Sequence, residues 1–159
     1  MKEGAWGGLC VEELREGPWV LDWRMAWWLL ERGLLVERDV PRLASSGPLT
    51  LSDAEQVQLA LAEDDGTNGI RAFVRAQAEP YVEAEVDAAI RCNVLAGILR
   101  SGASGRDKVE DIAGVWADFG HPEDWSHLIY YMPAVDPETA SVEQLLRDAE
   151  RWVLERSPQ

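Results

Sequence analysis

The chain has 159 residues, of which 47% are hydrophobic and 28% charged, a balance typical of one folded domain rather than of a disordered chain. Its 29 acidic residues outnumber the 15 basic ones and give a formal net charge of −14. Because such a charge repels phosphate groups, the composition disfavours binding to nucleic acid or to an anionic membrane and favours a basic partner. We therefore predict a single domain over residues 1–159.

The cysteine content and the hydropathy of the chain predict a cytoplasmic protein. Cys10 and Cys92 are too few for a disulfide framework and lack the close spacing of a zinc-binding pair. Residues 1–10 contain no basic stretch followed by an apolar run of leader-peptide length. The most apolar stretch, residues 19–30, contains two charged side chains and is shorter than the roughly 20 residues that cross a bilayer. We also expect no cofactor.

The first two predicted helices follow from apolar spacing and from capping residues. A first amphipathic helix is indicated by apolar residues that recur every three or four positions, namely Val20, Trp23, Trp27 and Leu30. Gly33 is placed to end that helix in a left-handed conformation. Ser52 and Glu55 have the spacing of a capping box, which predicts a second helix that ends at about Asp64.

The middle of the chain predicts a short helix and then a longer one. Thr67 is predicted to cap the short helix, which must end before Pro80 because the residue before a proline disfavours helical geometry. Pro80 then suits the first turn of the longer helix. The predicted apolar stripe of the longer helix comprises Val82, Val86, Ala89, Ile90, Asn93, Val94 and Gly97. We expect Asn93 to be a hydrogen-bonded interior amide and Cys92 to be a buried structural thiol.

Two further helices complete the predicted fold. One is indicated by Val109, Ile112, Trp116 and Phe119, and Gly120 is placed to end it. The last begins at Ser141, with Gln144 at capping-box spacing, and is predicted to bury Val142, Leu145, Ala149 and Trp152. We find no strand pair, hairpin signal or repeat. The sequence therefore predicts an all-α protein, a single compact domain built as an irregular bundle or array of six to eight helices.

Residues 118–133, DFGHPEDWSHLIYYMP, contain both histidines of the chain among acids, aromatic residues and two prolines. Pro122 is placed to begin a helix whose predicted buried stripe is Trp125, Leu128, Ile129 and Met132. The opposite face would carry Glu123, His127 and Tyr130, which are positioned to contact a partner or a small ligand. The alternative is a solvated Glu–His pair beside a tyrosine. His121 and His127 are too far apart for a His-Glu-x-x-His arrangement, so we predict neither a metal site nor catalytic residues.

Part of this region resembles a known family. The pattern Trp116-Ala-Asp-Phe119, then Gly120-His-Pro-Glu123, then Ile129-Tyr-Tyr-Met-Pro133 is similar to the C-terminal signature of an uncharacterised family of small bacterial proteins. In that family an acidic-Phe step is followed by an aromatic-Pro-Glu turn, and His121 stands where tyrosine is more frequent. The resemblance implies a bacterial, mostly helical protein, similar in size and acidity to the immunity proteins of polymorphic toxin systems.

The first functional hypothesis is an acidic, non-enzymatic binding protein, an immunity-type inhibitor that occludes a basic bacterial toxin such as a nuclease. Acidic side chains mimic the phosphates that such a toxin recognises and accelerate association by electrostatic steering. The toxin is expected to be encoded nearby. The residues predicted to bind the partner are Glu63, Asp64, Asp65, Glu83, Asp87, Glu123, His127 and Tyr130. Of these, Glu83 and Asp87 are expected to share one helix face.

Two other hypotheses remain open at this stage. One is a small hydrolase or metal-dependent enzyme, because acids are plentiful, although none has the spacing of a metal ligand set or of an activated nucleophile. The other is a structural or regulatory interaction module without a toxin. The sequence leaves the oligomeric state open under all three hypotheses.

Overall fold

A computed structural model of the chain describes residue 14, residues 16–129 and residues 141–159. These residues form seven α-helices and two short 3₁₀ helices and contain no strand, which confirms the all-α prediction. The α-helices are α1 (Trp23–Glu31), α2 (Val40–Ser46), α3 (Asp53–Asp64), α4 (Gly66–Gln77), α5 (Glu83–Arg100), α6 (Gly105–Asp118) and α7 (Val142–Arg156). The 3₁₀ helices are Glu37–Asp39, before α2, and Glu123–Leu128, after α6.

Both ends of helix α1 are capped by nearby residues, which form hydrogen bonds with its terminal N–H and C=O groups. The Asp22 carboxylate accepts a hydrogen bond from the Met25 amide at 3.0 Å. At the other end Gly33 has φ +69°, and the Leu34 amide donates to the Leu29 carbonyl, as in a Schellman motif. The predicted end is confirmed. Val20 lies before the helix and is 74% exposed, so its assignment to the buried stripe is wrong.

The capping box of α3 is confirmed. The Glu55 amide donates to Ser52 Oγ at 3.3 Å, and the Ser52 amide donates to Glu55 Oε2 at 2.8 Å. Two N–H groups that the helix cannot satisfy internally are therefore bonded.

Replacing Ser52 with alanine is expected to lower the free energy of unfolding by about 1 kcal/mol, because the Glu55 amide loses its acceptor. Urea unfolding followed by circular dichroism measures the difference. Ser45→Ala is the matched control, since Ser45 is exposed within α2 and its hydroxyl donates to the Arg42 carbonyl of the same helix. Equal unfolding midpoints for the two variants would contradict a stabilising role of the box.

Two predicted helix starts are wrong. Helix α4 begins at Gly66, directly after α3, so Thr67 lies inside its first turn, and the cap residue Asp65 makes no side-chain cap bond. Helix α5 begins at Glu83, three residues after Pro80, with two glutamates in the first turn where the N–H groups favour negative charge. Val82 consequently precedes the helix and is 50% exposed.

Helix α7 begins after Ser141 as predicted, but its cap is only half of the expected box. Ser141 Oγ accepts from the Gln144 amide at 3.1 Å. The Gln144 side chain instead donates to Asp148 Oδ1 at 2.9 Å, so it does not return to the Ser141 backbone. Val142 is 37% exposed rather than buried, whereas the other predicted inward residues Leu145, Ala149 and Trp152 are buried.

Helix α5 lies at the centre and packs against α1, α6 and α7, while α3 packs mainly against α4. The core comprises two adjoining clusters of buried side chains. The first is built around α1 and α4, and the second around α6, α7 and the second 3₁₀ helix. Trp19, Ile98 and Val115 pack against both clusters. In the described ranges, no helix has the length and apolarity that crossing a membrane requires.

Candidate interaction surface

The acidic triplet Glu63, Asp64 and Asp65 lies at the sharp turn between α3 and α4. The turn is tight because Gly66 has φ +75° and because a Cβ on Gly69 would collide with the Ala62 carbonyl oxygen. All three acidic residues are exposed. Among the described residues, none of these carboxylates takes part in an ion pair.

Residues 43–70, which include the triplet, contain no lysine, arginine or histidine. The charge of the triplet is therefore not offset by a basic neighbour in sequence. A surface of this kind attracts cations and basic side chains over distances up to about the Debye length, roughly 8–10 Å at moderate salt.

Glu83 and Asp87 do lie one turn apart on α5, but each is paired within the chain. Arg32 Nη2 lies 2.7 Å from Glu83 Oε1, and Arg91 Nε lies 2.9 Å from Asp87 Oδ2. A partner that binds these carboxylates would have to compete with the internal arginines. The two residues are therefore weaker contact candidates than the triplet.

Arg91 is the most buried charged group among the described residues and was missed by sequence reasoning. Its side chain bridges Asp87 and Asp124, each at 2.9 Å. Its guanidinium carbon lies 5.6 Å from the ring centroid of Trp125 and 5.5 Å from that of Trp152. Because it joins α5, the second 3₁₀ helix and the aromatic core beside α7, we assign it a structural role.

The corner between α6 and the second 3₁₀ helix is set by two left-handed residues, Gly120 at φ +76° and His121 at φ +62°. The His121 amide donates to the Trp116 carbonyl at 2.9 Å, which completes a Schellman motif. Trp116 Nε1 donates to the Pro122 carbonyl at 3.0 Å and fastens the corner from the side. The predicted stop at Gly120 is confirmed.

Residues 123–128 form a 3₁₀ helix rather than the predicted α-helix. Trp125, Leu128 and Ile129 are nevertheless buried as predicted. In a 3₁₀ helix, residues four apart diverge by about 120° around the axis, so the predicted shared face of Glu123 and His127 is wrong. Both residues are exposed. Tyr130, the third residue of that predicted face, and Met132, the last of the buried stripe, lie outside the described residues.

Cys92 is fully buried, and its Sγ lies 3.7 Å from the Val153 carbonyl oxygen. Burial raises the pKa of its thiol, which disfavours the nucleophilic thiolate. This environment agrees with the predicted structural role. Over residues 16–129 and 141–159, the structure places no group of three or more His, Cys, Asp or Glu side chains where they could hold a metal ion.

Asp118, the last residue of α6, is a partly buried acid whose protonation affects stability. Burial raises the pKa of its carboxyl group. The folded state therefore binds this proton more tightly than the unfolded state. The contribution to stability is favourable below the unfolded pKa and is lost as the pH rises through the folded pKa.

Asp118→Asn is accordingly expected to stabilise the protein at pH 7, by up to about 1 kcal/mol, since it also removes a negative charge from a helix C-terminus. The gain should shrink as the pH falls towards 4, where aspartate begins to be protonated in the unfolded chain too. Urea midpoints at the two pH values measure this. Asp111→Asn, an exposed change on the same helix, is the control. A gain from Asp118→Asn that is the same at both pH values would contradict the assignment.

The fold and the surface together define an all-α protein with three consecutive exposed acids at one helix junction, for which the described residues show no ion pair. Residues 14–157 match the family described as "Uncharacterized protein conserved in bacteria (DUF2247)", and the chain belongs to that family. The match includes the region that carries the resemblance noted above. Comparisons with curated proteins and with solved structures found no significant match.

Proposed function

We propose that this protein is an acidic binding protein of the bacterial cytoplasm, an immunity-type inhibitor that occludes a basic toxin such as a nuclease. The observation that carries the proposal is the unpaired triplet Glu63, Asp64 and Asp65, within a stretch that lacks basic residues. The net charge of −14 adds a long-range attraction for any basic surface.

The chemistry of the triplet suits a nuclease domain in particular. Such a domain binds the phosphates of its substrate through lysine and arginine side chains. Carboxylates are also negatively charged, so they can pair with the same side chains in place of the phosphates. Because the described part of the chain shows no ion pair of the triplet, its carboxylates can pair with the toxin without breaking any of the ion pairs seen there. Glu83 and Asp87 would be secondary contacts, since Arg32 and Arg91 already pair with them.

The direct test uses the polypeptide encoded beside the gene for this chain. We expect one-to-one binding by calorimetry at low salt, and a slower association as salt is raised, because screening weakens steering between opposite charges. Co-production of the chain should also restore growth of cells that make that polypeptide, if the polypeptide is toxic. Absence of binding at both salt concentrations would reject the proposal for this neighbour.

The triplet is tested by removing two of its charges. Glu63→Gln with Asp64→Asn is expected to slow association several-fold at low salt, roughly three- to tenfold, with little effect at high salt. The control Glu143→Gln with Glu150→Gln removes the same charge from exposed sites on α7. If both double variants slow association equally, net charge alone acts and the triplet is not the contact.

A further inference from the structure

The outward face of α3 carries two exposed apolar side chains. Val57 is 60% exposed and Leu61 is 62% exposed, one turn apart. They lie opposite Leu59, the buried residue that α3 contributes to the core. Single exposed apolar residues are ordinary, but a neighbouring pair on a helix face forms a continuous apolar strip.

This strip is bracketed by acids along one line of the helix. Asp53, Val57, Leu61 and Asp64 follow one another at spacings of four, four and three, which aligns them on one face. Both aspartates are exposed. We call these four residues the α3 face. An apolar centre with a charged rim is the arrangement of energetically dominant patches in protein interfaces.

We infer that the α3 face docks a basic amphipathic helix of the protein's partner. This inference rests on the proposed function and names the part of the toxin that is recognised. Val57 and Leu61 would contact the partner's apolar side chains, and its lysines or arginines would pair with Asp53 and Asp64. The two aspartates are about 16 Å apart at 1.5 Å per residue, so the basic residues of the partner helix would be about eleven positions apart.

Charge decides between a basic partner and a second copy of this chain. Acids lie at both ends of the apolar pair, so a second α3 face would bring aspartate against aspartate in a parallel and in an antiparallel arrangement. Residues 43–70 supply no basic side chain that could offset this repulsion. A basic helix satisfies both ends.

The α3 face can be tested without knowing the toxin. The probe is a designed helical peptide of about 20 residues, with leucine along one face and lysine elsewhere, titrated into the ¹⁵N-labelled full chain. We expect saturable amide shifts confined to residues 53–65 and their neighbours on α4. An otherwise identical peptide with glutamate in place of lysine should not bind, since its charges meet the aspartates.

The matched variants are Val57→Gln with Leu61→Gln, and the control Leu154→Gln. Leu154 is 76% exposed on α7, and glutamine retains helix propensity, so all three changes leave the helices intact. Circular dichroism verifies this. The double variant is expected to weaken peptide binding at least about tenfold, and the control not at all. The inference is overturned if the peptide does not bind the wild-type chain, or if it binds the wild type and the double variant equally. It is also overturned if the wild-type chain forms a dimer and the double variant does not.

Binding of the polypeptide encoded beside this gene, measured for the wild type and for the double variant, distinguishes failure of this inference from failure of the proposed function. If it binds wild type and binds the double variant at least about tenfold more weakly, both are supported. If it binds both proteins equally, the proposed function stands and the α3 face is rejected. If it binds neither, the proposed function fails for that neighbour, and the peptide titration alone decides the α3 face.

Discussion

Trp125→Ala is expected to lower the free energy of unfolding by about 3–5 kcal/mol, the range for a large aromatic side chain removed from a core. Trp125 is fully buried in the second core cluster. Its ring centroid lies 5.3 Å from that of Trp152 in an edge-to-face contact and 6.1 Å from that of Phe119. The guanidinium of Arg91 also lies over this ring. Its removal leaves a cavity where α6, α7 and the second 3₁₀ helix meet.

The size dependence of this effect provides the control. Trp125→Phe should cost less than the alanine change, because it keeps most of the apolar volume. Trp125 Nε1 has no hydrogen-bond partner among the described residues. The change to phenylalanine therefore removes no hydrogen bond seen in that part of the chain. Denaturant unfolding of the three proteins gives the comparison. Near-wild-type stability of Trp125→Ala would show that residues 123–128 do not close the core.

Asn93→Ala is expected to cost about 3 kcal/mol or more, because one buried side chain satisfies three backbone groups. Its Oδ1 accepts from the Trp19 amide at 2.8 Å. Its Nδ2 donates to the carbonyls of Leu14 and Trp19, at 2.9 and 2.8 Å. A buried group that loses its partner costs about 1–3 kcal/mol, and relaxation of the backbone at Leu14 and Trp19 will recover part of the sum of three such losses.

Two measurements distinguish this mechanism from general loss of helix stability. Asn68→Ala, an exposed change on α4, should alter stability by less than about 0.5 kcal/mol. Hydrogen exchange at the Trp19 amide should accelerate in Asn93→Ala by more than the loss of global stability accounts for, because its acceptor is removed. Unchanged protection of that amide would show that the side chain of Asn93 does not hold the segment.

Several helix ends were predictable because their determinants lie within a few residues of one another. The Ser52–Glu55 box and the left-handed glycines at positions 33 and 120 are local devices, and the structure confirms each of them. The wrong starts share a physical reason. Thr67 and Pro80 are both compatible with helix starts, but the actual starts at Gly66 and Glu83 lie where α4 packs back on α3 and where α5 packs against α1.

The candidate surface was only partly predictable. The sequence identified the triplet, Glu83 and Asp87 as candidate contacts, but it could not show which of these carboxylates are already paired within the chain. The arginine that pairs with Glu83, for example, is 51 positions away. The 3₁₀ geometry that separates Glu123 from His127 was also hidden, since spacing alone was interpreted with α-helical periodicity. The exposure of Val57 and Leu61 followed only from the packing of α3 on α4.

By itself, the sequence determined the all-α class, the strong negative charge, many of the buried positions of the later helices and the interior placement of Asn93. These depend on composition, on a repeat of 3.6 residues and on short-range hydrogen bonds. Only the tertiary structure decided which acids are internally paired, that Arg91 is buried between two of them, and that Asn93 bonds a segment 74 positions away. The Arg91–Asp87 pair lies within α5, but the contacts of Arg91 with Asp124 and of Asn93 with Trp19 join distant residues, so they exist only once the helices have packed.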